Sequence, residues 1–246
     1  MKQLNALLRI EFRGMLSAHL VFLGVNIGIV LIMLFAISYS TLGTNGTYQN
    51  FCVTAGAYMF VMSVTSIRST MRLGAQMGTS RRTMFLTFTL YALSSALLMA
   101  VVGEIFLTAA NFITVRTGSV IVTDLYPTFF LNETNFIDFT LAQHLQTILF
   151  NASTAFLCTA FGAALSLLLW RLNKLGQVLA VALVCTLPMW LPLLLIRIAA
   201  YEIDLLTLYR LLEQPLFLDL SFLAISVVCL LLSGFWGRKV HIRPAK

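Results

Sequence analysis

From Ala18 to Tyr39 the chain runs without a single Asp, Glu, Lys or Arg, and runs of this kind recur along its length. A bilayer hydrocarbon core of about 30 Å takes roughly 20 apolar residues of α-helix. The apolar runs predict six spans, at about 18–39, 51–67, 84–107, 145–170, 175–196 and 216–236. The chain therefore reads as an all-α integral membrane protein, a single transmembrane domain over residues 1–246.

Composition agrees. Of 246 residues, 59% are hydrophobic and 10% charged, whereas an ordinary soluble domain has about 45–50% and about 25%. A water-soluble fold cannot hide so much apolar surface and still present a largely polar exterior. The abundance of Leu, Ile, Val and Phe excludes a disordered chain. The net charge of +7 would point to nucleic acid in a soluble protein. Here the basic residues cluster between apolar runs, as they do where charge orients a membrane protein. The expected partner is the lipid bilayer, with no nucleic acid.

Charge also predicts orientation. With the N-terminus inside, Lys2, Arg9, Arg13, Arg68, Arg72, Arg81, Arg82, Arg171, Lys174, Arg238, Lys239, Arg243 and Lys246 all fall on the cytoplasmic side. Only Arg116, Arg197 and Arg210 of the sixteen basic residues fall outside. This is an N-in/C-in topology in the cytoplasmic membrane. The first apolar stretch exceeds the roughly 7–15 residues of a cleavable signal peptide. Despite the small-x-small pair Ala36 and Ser38, it reads as signal and anchor together.

Two kinds of segment are neither span nor plain loop. Residues 1–16 predict an interfacial amphipathic helix, with Leu4, Leu7, Leu8, Phe12 and Met15 on one face and Lys2, Asn5, Arg9 and Arg13 on the other. Glu11 projects from the apolar side, where a carboxylate needs a partner: a nearby Arg, or headgroups. The outer segments 116–143 and 199–215 mix polar and apolar residues. The first carries Asp124, Pro127, Asn132, Glu133 and Asp138 among Tyr126, Phe129 and Phe130, as a membrane–water interface does. The second reads as an amphipathic helix or a re-entrant hairpin.

Several chemistries are missing. No G-x-x-x-x-G-K-[ST] or H-E-x-x-H is present, and no G-x-S-x-G. His19, His144 and His241 sit in separate segments and do not make a shared metal site. Cys52, Cys158, Cys185 and Cys229 lie in or beside apolar runs, in neither a disulfide nor a zinc pattern. No catalytic residue, cofactor or metal ligand is predicted, and the chain is not expected to be an enzyme by itself.

Charge within a span is costly and often functional. Glu104 is expected near the outer boundary of the third span. There it is an interfacial carboxylate, or it lines an outer cavity and meets a cationic substrate. Arg197 has a similar place at the fifth span and can pair with Glu104. Asn26 joins these two as a pathway candidate. It lies between Gly24 and Gly28, whose G-x-x-x-G spacing allows close helix approach, within the chain or between two copies. Pro188 and Pro192 predict a kink in the fifth span. No obvious pocket of polar side chains shows in the spans.

The segment from Ile67 to Phe85 is the most informative. Gly78 is expected to break a helix, and Thr79 or Ser80 to cap the next. Arg81 and Arg82 then sit at the membrane surface, on a short basic elbow against which a soluble motor can push. The run Gly78-Thr79-Ser80-Arg81-Arg82-Thr83-Met84-Phe85 resembles the loop between the second and third spans in permease subunits of bacterial ABC-2-type ATP-binding-cassette transporters. Leu8-Arg9-Ile10-Glu11-Phe12-Arg13 resembles that family's N-terminal interfacial helix. The likeness extends to the whole chain in layout and to about thirty residues in motif. The outer segment before the last helix is shorter than the family's.

The resemblance implies a permease, most often of an exporter, working as two copies or with a sister subunit. It also implies a separate ABC ATPase that carries ATP and Mg. Gly78, Thr79, Ser80, Arg81 and Arg82 would form the coupling region that meets the ATPase, with Glu11 and Arg13 beside it. The alternatives are a membrane substrate-binding, immunity or assembly protein without transport activity, and an intramembrane enzyme.

Overall fold

In the computed structural model, residues 2–39, 46–48, 51–117, 120–122, 124–131, 139–180 and 214–237 are described. Five long helices dominate them: α1 (Lys2–Tyr39), α2 (Phe51–Gln76), α3 (Arg81–Thr117), α4 (Leu141–Arg171) and α5 (Pro215–Gly237). All five contain stretches long and apolar enough to cross a membrane. Proline explains their continuity: none falls inside α1 to α4, and Pro215 occupies the first position of α5, where its missing N–H costs nothing. A three-residue parallel pairing, Gly46–Tyr48 with Val120–Val122, joins the segments after α1 and α3. A π-helical turn, Pro127–Leu131, precedes α4.

Side-chain contacts fix the directions. His19 on α1 meets Tyr58 on α2, and Glu11 meets Ser66 and Thr70, so α1 and α2 are antiparallel. Glu104 on α3 meets His144 at the start of α4. Asp219 near the start of α5 meets Ser153, while Arg81 reaches Gly237 at its end. The turn between α2 and α3 thus shares one end of the bundle with the C-terminal ends of α4 and α5. We call this the elbow end.

The centre of the bundle is α4, buried over 61% of its most apolar stretch, against 22% for α1 and α5. Its inner face is built from small residues, among them Ala152, Ala155, Ala160, Gly162, Ala163 and Ala164, which let neighbouring backbones approach closely. At Gly162 the approach is closest: a Cβ there would lie 2.6 Å from the Phe60 carbonyl oxygen and collide with the Ser63 hydroxyl. The apolar core along the bundle includes Met59, Phe88, Ala92, Leu107 and Leu167, all buried. The outward faces stay apolar, with Val21 68%, Ile32 69%, Ile105 64% and Leu231 67% exposed, as a surface against acyl chains requires.

Several expected boundaries shift. Residues 1–16 are not a separate interfacial helix: α1 is unbroken from Lys2 to Tyr39. Nothing at Ser17 or Ala18 interrupts it, and one buried stripe of Leu7, Glu11, Met15 and His19 runs straight through. At 1.5 Å per residue α1 is about 57 Å long, well beyond a hydrocarbon core of about 30 Å. The other expected spans lengthen similarly. Residues 51–67 extend to Gln76, 84–107 to Arg81–Thr117, 145–170 to Leu141–Arg171, and 216–236 matches Pro215–Gly237. Of the fifth span, 175–196, only the helical start over 174–180 lies within the described residues. Pro188, Pro192, Cys185, Arg197, Arg210 and the segment 199–213 lie outside them.

Candidate functional site

Two polar regions stand out, one at the elbow end and one at the opposite end. At the elbow, α2 closes with Gly78 at φ 65. The Thr79 N–H bonds the Gly74 carbonyl at 2.8 Å, and the Gly78 N–H bonds the Ala75 carbonyl at 3.1 Å. This is the Schellman closure that a left-handed residue permits. The Thr79 hydroxyl donates to the same Gly74 oxygen at 2.9 Å. Ser80 then caps α3, its Oγ accepting from the Thr83 N–H at 3.2 Å. The two expected capping residues thus divide the work, Thr79 finishing one helix and Ser80 starting the next. The elbow is a stapled turn of fixed shape.

Its basic residues have different partners. Arg81 donates to the Gly237 carbonyl at 3.2 Å, tying α3 to the end of α5, while Arg82 is exposed. Arg68 donates to the Ser166 hydroxyl at 2.9 Å and to its carbonyl at 3.2 Å. Arg68 and Arg72 also stand over the Trp170 ring, 5.9 and 5.8 Å from its centroid, within cation–π range.

Glu11 is placed by the stripe it shares with Leu7 and Met15. It is buried, with Thr70 donating to Oε1 at 2.7 Å and Ser66 to Oε2 at 3.3 Å. Among the described residues no Arg pairs with the carboxylate; two hydroxyls of α2 meet it. Arg13, two residues on, is exposed.

At the far end, Glu104 and His144 join α3 to α4, with Oε1 and Nδ1 2.6 Å apart. The other Glu104 oxygen has no partner among the described residues. Asp124 is fully buried and takes three N–H groups: Cys52 at 2.8 Å, Leu125 at 2.9 Å and Asn151 Nδ2 at 2.8 Å. Burial pushes its carboxyl above the usual range, and the N–H donors only partly oppose this. Beside it the Tyr126 hydroxyl donates to Gln146 at 2.9 Å, and burial raises the phenol likewise. Ser153 donates to the buried Asp219 at 2.8 Å. Midway along the bundle, the His19 ring nitrogens meet Tyr58 at 2.7 Å and Ser95 at 2.8 Å.

Buried polar side chains nevertheless stand at several separate levels of the bundle. Glu11, His19, Asn26, Ser95, Glu104, Asn151 and Asp219 all turn inward. Except for Glu11, which stands between Arg9 and Arg13, the sequence signal was available: a polar residue inside an otherwise uncharged run, whose cost in lipid turns it toward protein. Asp219 was the plainest, standing alone in the last apolar run. Asn26 is buried and donates to the Phe22 carbonyl at 2.8 Å. Among the described residues Gly24 and Gly28 make no close approach: a Cβ on either meets nothing within 4 Å. Among the described residues the partner of Glu104 is His144; Arg197, the other partner expected for it, lies outside the described residues. No group of three metal-binding side chains occurs among the described residues.

No protein-family model matches the chain, no curated protein matches it, and no solved structure matches it.

Proposed function

We propose that the chain is the membrane-spanning permease subunit of an ATP-driven transporter of the bacterial ABC-2 type, working as an exporter. In this reading six helices cross the cytoplasmic membrane with both ends inside, and the elbow end faces the cytoplasm. ATP and Mg belong to a separate ABC ATPase, and a second permease copy or a sister subunit completes the transporter. The observation that carries the reading is the elbow. A short stapled turn between two long apolar helices presents Ser80, Arg81 and Arg82 at one end of the bundle, where it can transmit a push without absorbing it. Arg81 would pass that push to α5 through Gly237. Glu11 would pass it to α1 through Ser66 and Thr70 on the helix entering the elbow, with Arg13 exposed beside it. ATP binding would shift the bundle between two states by favouring one of them.

The test is charge reversal at the elbow. Arg82→Glu, alone and with Arg81→Glu, should abolish recovery of the ATPase with the purified chain, the single variant leaving helix content and unfolding midpoint unchanged. The single variant spares the Arg81–Gly237 bond. Undiminished recovery of the ATPase with both variants would contradict the coupling role.

A second reading, a membrane binding subunit without transport, is favoured by the inward-turned polar side chains of α1, α3 and α4. It predicts ligand binding but no ATPase stimulated by this chain.

A further inference from the structure

Beside Glu11 lies a cavity of about 330 Å³ between α1, α2 and α3, near the lower bound of about 300–1,000 Å³ for small-molecule sites. Its polar wall is the Glu11 carboxylate with the hydroxyl-bearing Ser66 and Ser69; its apolar wall includes Met62 and Leu73, with Tyr91 contributed by α3. Glu11 is only 8% exposed. Thr70 and Ser66 donate to it, with Ser69 also close enough to contribute, and the Thr70 hydroxyl has a competing acceptor in the Ser66 carbonyl at 2.9 Å. A carboxylate has roughly four acceptor positions, more than these hydroxyls fill, and Glu11 lines the cavity. Among the described residues no Lys, Arg or His nitrogen comes within 4.0 Å of it. An ionised carboxylate buried without a cation is strongly disfavoured.

We propose that this cavity is a binding site for a small organic ammonium ion. The cation would sit on the Glu11 carboxylate, its alkyl or aryl part would lie against Met62 and Leu73, and the Tyr91 ring would add cation–π attraction. The same lining argues against a metal ion: a single carboxylate with hydroxyls offers too few hard ligands, and the methionine and leucine walls offer none. The site is independent of the permease reading, since it requires only the packing of α1 on α2 and α3.

The experiment is equilibrium binding of radiolabelled benzyltrimethylammonium to the full chain in a maltoside detergent, which carries no ammonium of its own. Saturable binding at one site per chain is expected. Glu11→Gln, which keeps an acceptor for Thr70, should weaken it at least tenfold. Gly14→Leu keeps the carboxylate and places bulk in the cavity, and a Cβ at Gly14 meets nothing within 4 Å. It should abolish binding with helix content and unfolding midpoint unchanged. Absence of saturable binding to the unaltered chain would overturn the proposal. So would binding that both variants leave intact, or displacement of the probe by millimolar calcium or magnesium.

Discussion

Three N–H groups converge on the buried carboxylate of Asp124, and Asn151, one of the donors, keeps its own Oδ1 without a partner among the described residues. Asparagine at position 124 would preserve this arrangement. Its oxygen would accept from Cys52 and Leu125, and its amide would donate to a reoriented Asn151. What it removes is a buried charge. Burial holds the folded carboxyl above its ordinary value of 3.8. The stability it contributes is therefore full below that value and is lost as pH rises through the folded pKa. Asp124→Asn does not titrate, so its stability relative to the unaltered chain should increase from acid to neutral pH. Unfolding midpoints in detergent across that range check this; a difference independent of pH would contradict it. The sequence marked Asp124 only as one acid among the aromatics of an outer segment. That it would be wholly enclosed depends on Cys52 and Asn151, 72 and 27 residues away, and no local pattern carries such a pairing.

At the scale of the element, the helices were legible because apolar runs without proline and with backbone bonds made internally leave no other structure in lipid. The elbow was legible for a similar reason: Gly78 followed by Thr79 and Ser80 is local chemistry. The break expected near residue 17 was not real, because the amphipathic pattern of residues 1–16 belongs to packing against α2 and α3 as readily as to a membrane surface. Gly24 and Gly28 have the spacing of a packing motif, yet the close crossing lies at Gly162, opposite Phe60 and Ser63. Gly162→Val should therefore destabilise the bundle by about 1–3 kcal/mol through overpacking, while Gly24→Ala should leave it unchanged or slightly firmer. Titration with a denaturing detergent, followed by helix content, distinguishes the two; equal effects would mean that α2 and α4 do not cross there.

For the molecule as a whole, α1 to α4 alternate in direction, α5 runs parallel to α4, and the elbow, Arg68, Arg72 and the ends of α4 and α5 gather at one end. The permease reading takes that end as cytoplasmic. Single cysteines placed at Ser80 and Leu141 in a variant lacking its native cysteines should then label oppositely with a membrane-impermeant maleimide in intact cells. Ser80→Cys should be protected and Leu141→Cys reactive; the reverse pattern would invert the topology and detach the elbow from any cytoplasmic motor. Composition and span order made the membrane class legible, but a partner leaves its trace in a surface, and here that trace is one short turn. The most direct measurement is purification of the chain from its native membrane in mild detergent, with the copurifying proteins identified and their ATPase activity measured. The account predicts a stoichiometric P-loop ATPase whose activity depends on this chain and is lost with Arg82→Glu. Recovery of the chain alone, or only with further copies of itself, would contradict it.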